Sequence, residues 1–169
     1  MNELEQKIYN VLLKYTLEEN NALLNLGKGI FDIPELALAY FIGKNLFAEL
    51  FINNGYKWQK EISISDSSIT DLVFNSHNNS IAIEFKMDDT WHAYKKDIKK
   101  LDNIRKTNIS KYFISLKKLL DDSQAQSFKS KLESEFSDTS LLLDYKIFDT
   151  IISSNSRYGK CLLTFWKVR

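Results

Sequence analysis

Apolar positions change period several times along the chain. Over residues 2–20, Leu4, Ile8, Leu12 and Tyr15 recur at helical spacing and predict a helix. Asp32-Ile33-Pro34-Glu35 reads as a second helix start, with Pro34 in the first turn and Glu35 near the positive end of the helix dipole. That helix is expected to run to about Asn53. It is apolar almost all round (Leu36, Leu38, Phe41, Ile42, Leu46, Phe47, Leu50), so a central position is expected. The period then shortens: 57–65, 69–75 and 80–87 are β-rich runs separated by Ser/Asn/Asp clusters and predict three strands. Residues 93–107 return to helix, 111–116 read as a buried strand and 122–136 as a further helix. Residues 141–152 and 160–168 predict two closing strands around the turn-rich Ser153-Ser154-Asn155-Ser156. The order ααβββαβαββ predicts an α/β (α+β) sandwich with a mixed central sheet flanked by helices. Five glycines and one proline supply few breakers and no linker, so residues 1–169 are read as one domain. Its parts are an N-terminal helix and loop (1–30), a core (31–118), and a helix with closing strands (119–169).

The second and third predicted strands are joined through Ser76-His77-Asn78-Asn79. An antiparallel hairpin centred between His77 and Asn78 pairs positions whose numbers sum to 155. Leu72 then meets Ile83, Phe74 meets Ile81, and Asp71 lies opposite Glu84. Because side chains alternate faces, one face carries Leu72, Phe74, Ile81, Ile83 and Phe85, a core face. The other carries Asp71, Val73, Ala82, Glu84 and Lys86.

Like charges directly opposite on a sheet are destabilising. A shared proton, a neighbouring cation or a bound metal would each offset the repulsion. Hard oxygen donors without Cys or His select Mg²⁺ or Mn²⁺. Lys86, two residues from Glu84 on the same face, supplies an ammonium that could orient a water or stabilise charge developing on a phosphate. The bland alternative is a solvated strand face with ordinary ion pairs, which contribute little. Composition narrows the chemistry further. One cysteine, Cys161, excludes a disulfide scaffold or a Cys-based zinc cluster, and His77 and His92 are too few for a His-rich metal site.

Asp71-x12-Glu84-Phe85-Lys86, written into ITDLVF…IAIEFK, resembles the motif of the PD-(D/E)xK nuclease superfamily, the restriction-endonuclease-like fold. The resemblance spans about residues 30–116. It implies that Asp71 and Glu84 are metal ligands, that Lys86 is the catalytic lysine, and that Glu35 matches the family's helical glutamate, both catalytic and metal-binding. Thr70 stands where the family name has proline. The implied activity is Mg²⁺- or Mn²⁺-dependent hydrolysis of DNA phosphodiesters, with RNA a second candidate substrate. For Glu35 the dipole alone is an adequate alternative reason. Glu49 on the same helix could substitute for it, and Asp66 could replace Asp71 in another register.

The formal net charge is +1, from 23 Lys+Arg against 22 Asp+Glu in 169 residues. This excludes a polybasic protein held to nucleic acid by bulk attraction. The charge is unevenly distributed, however. Residues 86–118 hold ten Lys/Arg against four Asp, a local +6. Lys95, Lys96, Lys99, Lys100 and Arg105 on the helix after the motif are therefore candidate phosphate contacts. The alternative is a solvated amphipathic face, with Ile98, Leu101 and Ile104 inward and Asp97 and Asp102 paired to nearby lysines. Trp91, His92 and Tyr94 could stack on a nucleotide, or complete a core. A homodimer would let two sites address two strands. The competing class is a non-catalytic binding protein on the same scaffold, immunity- or antitoxin-like or a nuclease-system subunit, with a protein partner. With one cysteine, a polar N-terminus and no membrane-length apolar run, a cytoplasmic location is expected.

Overall fold

The computed structural model describes residues 1–65, 68–104, 107–152 and 158–169, with the backbone alone over 60–65 and 68–69. The expected turn at 153–156 and the alternative ligand Asp66 lie outside the described residues.

Helix α1 (Glu3–Leu24) starts at Asn2. The Asn2 side chain accepts the Glu5 N–H at 2.9 Å while Glu5 accepts the Asn2 N–H at 2.7 Å, a reciprocal cap. Helix α2 (Glu35–Leu46) begins after Pro34, which takes the N-cap position just outside the expected first turn. The helical path then continues through a π turn (Phe47–Phe51) and a 3-10 turn (Ile52–Asn54) and stops at Gly55, at φ 72°. Its length matches the expectation, and of the apolar residues named for it only Leu36 is exposed. Leu38, Ala39, Ile42, Gly43 and Leu46 face inward, while Leu36 is exposed. The sheet and α1 cover this helix, and Phe41, Phe47 and Leu50 are half-buried against the same core.

Strands β1 (Lys57–Ser65), β2 (Ser68–Asn75) and β3 (Ser80–Met87) form an antiparallel meander. Helix α3 (Trp91–Asp102) crosses over to β4 (Ile109–Leu119), which pairs parallel with β3. Helix α4 (Asp122–Phe136) leads to β5 (Ser140–Ile151) and β6 (Tyr158–Val168), and β6 inserts between β4 and β5. The result is one mixed six-stranded sheet in the order β1-β2-β3-β4-β6-β5, the α+β layout expected.

The sheet is covered on both faces. On one, α1 and α2 pack on Leu72, Phe74, Ile81, Ile83, Phe85, Ile114 and Phe165. On the other, Tyr94, Ile98 and Leu101 of α3 and Leu132 and Phe136 of α4 enclose Ala82, Phe113 and Trp166. The face that carries Ala82 and Glu84 is therefore interior as well, which makes ionised groups on it expensive. Among the described residues, no helix is long and apolar enough to cross a membrane.

Gly43 sets the approach of α2 to the hairpin. A Cβ there would stand 2.7 Å from Leu72 Cδ2 and 3.2 Å from Trp58 Cζ2. Gly43→Leu is expected to lower stability by about 1–3 kcal/mol, the usual range for overpacking. The measurement is a urea midpoint that falls at unchanged slope.

Candidate active site

The β2–β3 register has Leu72 opposite Ile83, Val73 opposite Ala82 and Phe74 opposite Ile81, the pairing expected from the short connection. The described ladder stops at Leu72–Ile83, one step before the two carboxylates would oppose each other. From there β2 keeps its partner β1, with Thr70 against Ile62. The Asp71 carboxylate instead accepts the backbone N–H of Phe85 at 2.8 Å. A side-chain bond thus holds β2 to β3 where two like charges would meet.

Lys86 has a three-sided acidic setting. Its Nζ donates to Glu35 Oε1 at 3.2 Å and lies 3.2 Å from Asp97 Oδ2 and 3.9 Å from Asp89 Oδ2. Glu35, at the N-terminus of α2, also accepts the Met87 N–H through Oε2 at 2.5 Å. Just beyond β3, Asp88 adopts φ 41°, a left-handed conformation that Asp tolerates better than most residues. The reversal brings in Thr90, whose hydroxyl caps α3 by accepting the Ala93 N–H. Two charged side chains of α3 then return to the sheet: Asp97 to Lys86, and Lys100 to Glu84, whose Oε1 accepts from Lys100 Nζ at 2.5 Å.

Glu84 is 5% exposed, and its second oxygen, Oε2, is buried with no hydrogen-bond partner. Burial first, and then the charge of Asp71, push its carboxyl up to about 8, against the pull of Lys100. Burial also raises Asp71, despite the Phe85 N–H and the nearby Lys100. Burial works against the charge of Lys86, but Asp97 and Glu35 outweigh it and raise its pKa. Glu35, Asp71, Glu84 and Asp97 face Lys86 and Lys100, and the raised carboxyl of Glu84 offsets part of this acidic excess by holding a proton.

The structure thus brings Asp71, Glu84, Lys86 and Glu35 into one cluster, but Glu35 joins it through Lys86 and Met87 and not through the carboxylate pair. Among the described residues no three His, Cys, Asp or Glu side chains form a metal-holding group, and Glu35 stands near enough to Asp71 for its charge to raise the Asp71 carboxyl. Glu49, the substitute, lies elsewhere, bound to Lys14 Nζ at 2.9 Å and the Tyr15 hydroxyl at 2.5 Å. Of the expected basic face, Lys100 turns inward to Glu84 and Lys95 pairs with Glu135 at 2.8 Å. Lys96 and Lys99 are exposed. Arg105 lies outside the described residues. Trp91 and Tyr94 pack in the α3–α4 core against Phe128, Phe136 and Phe113, with Tyr94 fully buried and so not a stacking platform, Trp91 half-buried, and His92 exposed. Cys161 is fully buried.

Asp97 pairs with Lys86 of β3 rather than with a lysine of its own helix. The available signal was its position, an acidic residue within the stripe formed by Tyr94, Ile98 and Leu101. No family model, curated protein or solved structure matches the chain.

A hard divalent cation fits the donors present. Asp71 and Glu84 offer carboxylate oxygen only, and one of those oxygens is buried without a partner. Mg²⁺ commonly retains several waters beside one or two protein carboxylates, so a third protein ligand is not required.

In metal-free protein the raised Glu84 carboxyl has a definite consequence. Between the ordinary carboxylate pKa and about 8, the folded state keeps a proton on Glu84 that the unfolded chain has released. Stability contributed by this group is therefore full below that window and is lost as pH rises through about 8. Urea unfolding in EDTA from pH 5 to 9 is expected to show this decline, and Glu84→Gln is expected to flatten it.

Proposed function

We propose that the protein is a PD-(D/E)xK-type nuclease that hydrolyses DNA phosphodiester bonds with Mg²⁺ or Mn²⁺. The observation that carries the reading is Glu84: a carboxylate on a central strand, 5% exposed, with one oxygen unpartnered and Asp71 beside it. Perturbed buried carboxylates of this kind are characteristic of functional sites. A structural ion pair would not need the second oxygen left without a donor.

Asp71 and Glu84 would hold the cation. When bound, it supplies a Lewis acid that lowers the pKa of a coordinated water and neutralises phosphate charge. The chain's own groups do the rest. Lys86 is kept positive and restrained by Glu35 and Asp97, so its ammonium is oriented before substrate arrives. It orients the attacking water or stabilises the charge that develops on the phosphate oxygens. The Phe85 N–H keeps Asp71 at the end of the hairpin ladder. Lys96 and Lys99, exposed on α3, offer contacts to the phosphate backbone.

A second reading, a non-catalytic binding protein on the same scaffold, is favoured by one observation. Lys86, Lys95, Lys100, Lys117 and Lys118 are all paired with carboxylates, so much of the basic block is neutralised internally. Such a protein would be immunity- or antitoxin-like, or a nuclease-system subunit, and would engage a protein partner in place of DNA.

A plasmid-nicking assay with Mg²⁺ or Mn²⁺, run alongside a single-stranded RNA substrate, separates the two. The nuclease is expected to nick DNA only with metal. Asp71→Ala should abolish both cleavage and metal binding. Lys86→Met should lower the rate by about 10²–10³-fold, the scale for one preorganised electrostatic group, and change metal affinity much less. Wild-type cleavage by a clean Asp71→Ala preparation would overturn the assignment. A wild-type protein that neither nicks nor binds Mn²⁺ belongs to the second reading.

A further inference from the structure

Glu84 carries two opposite instructions. Its Oε2 is buried and unpartnered, an acceptor turned toward no donor, while its Oε1 is held by Lys100 Nζ at 2.5 Å. Lys100 comes from α3, whose Tyr94, Ile98 and Leu101 are anchored in the core, so its backbone is fixed while its flexible four-carbon stem can swing. Its side chain is 18% exposed, against 6% for Glu84, so the ammonium has a route to solvent that the carboxylate lacks. Two further lysines of the same helix, Lys96 and Lys99, are exposed with no ion pair among the described residues.

We propose that Lys100 is an internal counter-ion that competes with a divalent cation for Glu84, and that a bound phosphodiester relieves the competition by drawing the ammonium onto its own charge. The inference rests on the nuclease reading of Asp71 and Glu84 and adds regulation of that site. The reason is electrostatic: an ammonium at Glu84 repels a doubly charged ion twice as strongly as a singly charged one at the same distance. Without substrate, Lys100 occupies Glu84 Oε1 and its own positive charge keeps the site poor in metal. With a phosphate backbone along α3, Lys100 gains an exposed anionic partner beside Lys96 and Lys99, and the carboxylate pair becomes available. Metal and DNA then bind cooperatively, and linkage requires each to tighten the other by the same factor.

The test is isothermal titration of Mn²⁺ into intact protein, with and without a phosphorothioate duplex that resists cleavage, for the wild type, Lys100→Met and Lys100→Arg. Thermal unfolding checks that each variant is folded. Lys100→Met is expected to bind Mn²⁺ at least about tenfold more tightly than wild type without DNA, the lower end of what removing one nearby like charge gives. It should gain little further from the duplex. Wild type should bind Mn²⁺ more tightly when the duplex is present, and Lys100→Arg, which keeps the charge, should behave like wild type. Unchanged or weaker Mn²⁺ binding by folded Lys100→Met overturns the competition while leaving the nuclease reading intact. No Mn²⁺ binding by any of the three, with or without duplex, overturns both.

Discussion

The burial of Glu84 on the central strand β3 governs the rest of the site. β3 is hydrogen-bonded on one side to β2 and on the other to β4, and helices cover the sheet from both faces. A carboxylate in that position has little water to solvate it, and isolated burial of a charge is among the most unfavourable events in folding. The surrounding structure supplies what water cannot. Lys100 reaches back from α3, the hairpin parts before Asp71 faces Glu84 directly, and the carboxyl is pushed toward its protonated form.

The same constraint accounts for how the lysines are distributed. A +6 block along the chain suggests an exposed basic surface, yet five of its lysines among the described residues are paired with carboxylates. Lys86 answers Glu35 and Asp97, Lys100 answers Glu84, and Lys117 and Lys118 hold Asp88 at the turn out of β3. Lys96 and Lys99 alone among the described α3 lysines remain free to act outward. Local charge along a sequence is therefore a poor guide to surface charge wherever a carboxylate-bearing strand runs beneath a basic helix.

Legibility varied with the range of the interaction. The element order was readable because each segment has a clear period, and α4 matches its expected bounds of 122–136. The hairpin register was readable because a four-residue connection ties it down and a one-residue slip would turn Leu72, Phe74, Ile81 and Ile83 away from the core. Asp71, Glu84 and Lys86 were found through that register and nothing longer in range. The placements of Asp97, Lys100 and Glu35 were not readable in this way. Each depends on where a helix packs on the sheet, and helix periodicity identifies the inward face without naming the strand residue beneath it.

By itself, then, the sequence determined the six strands and four helices, the pairing at the centre of the sheet, and the face that two carboxylates and a lysine share. These follow from contacts between residues near in sequence, where periodicity and a short turn leave one low-energy choice. Only the tertiary structure decided that this face is interior, that Glu84 keeps one oxygen unpartnered, and that the basic helix turns one lysine inward. Those outcomes arise from stacking α3 and α4 over the sheet, which removes water from charges that would otherwise have been solvated and makes each one seek a partner from a distant part of the chain.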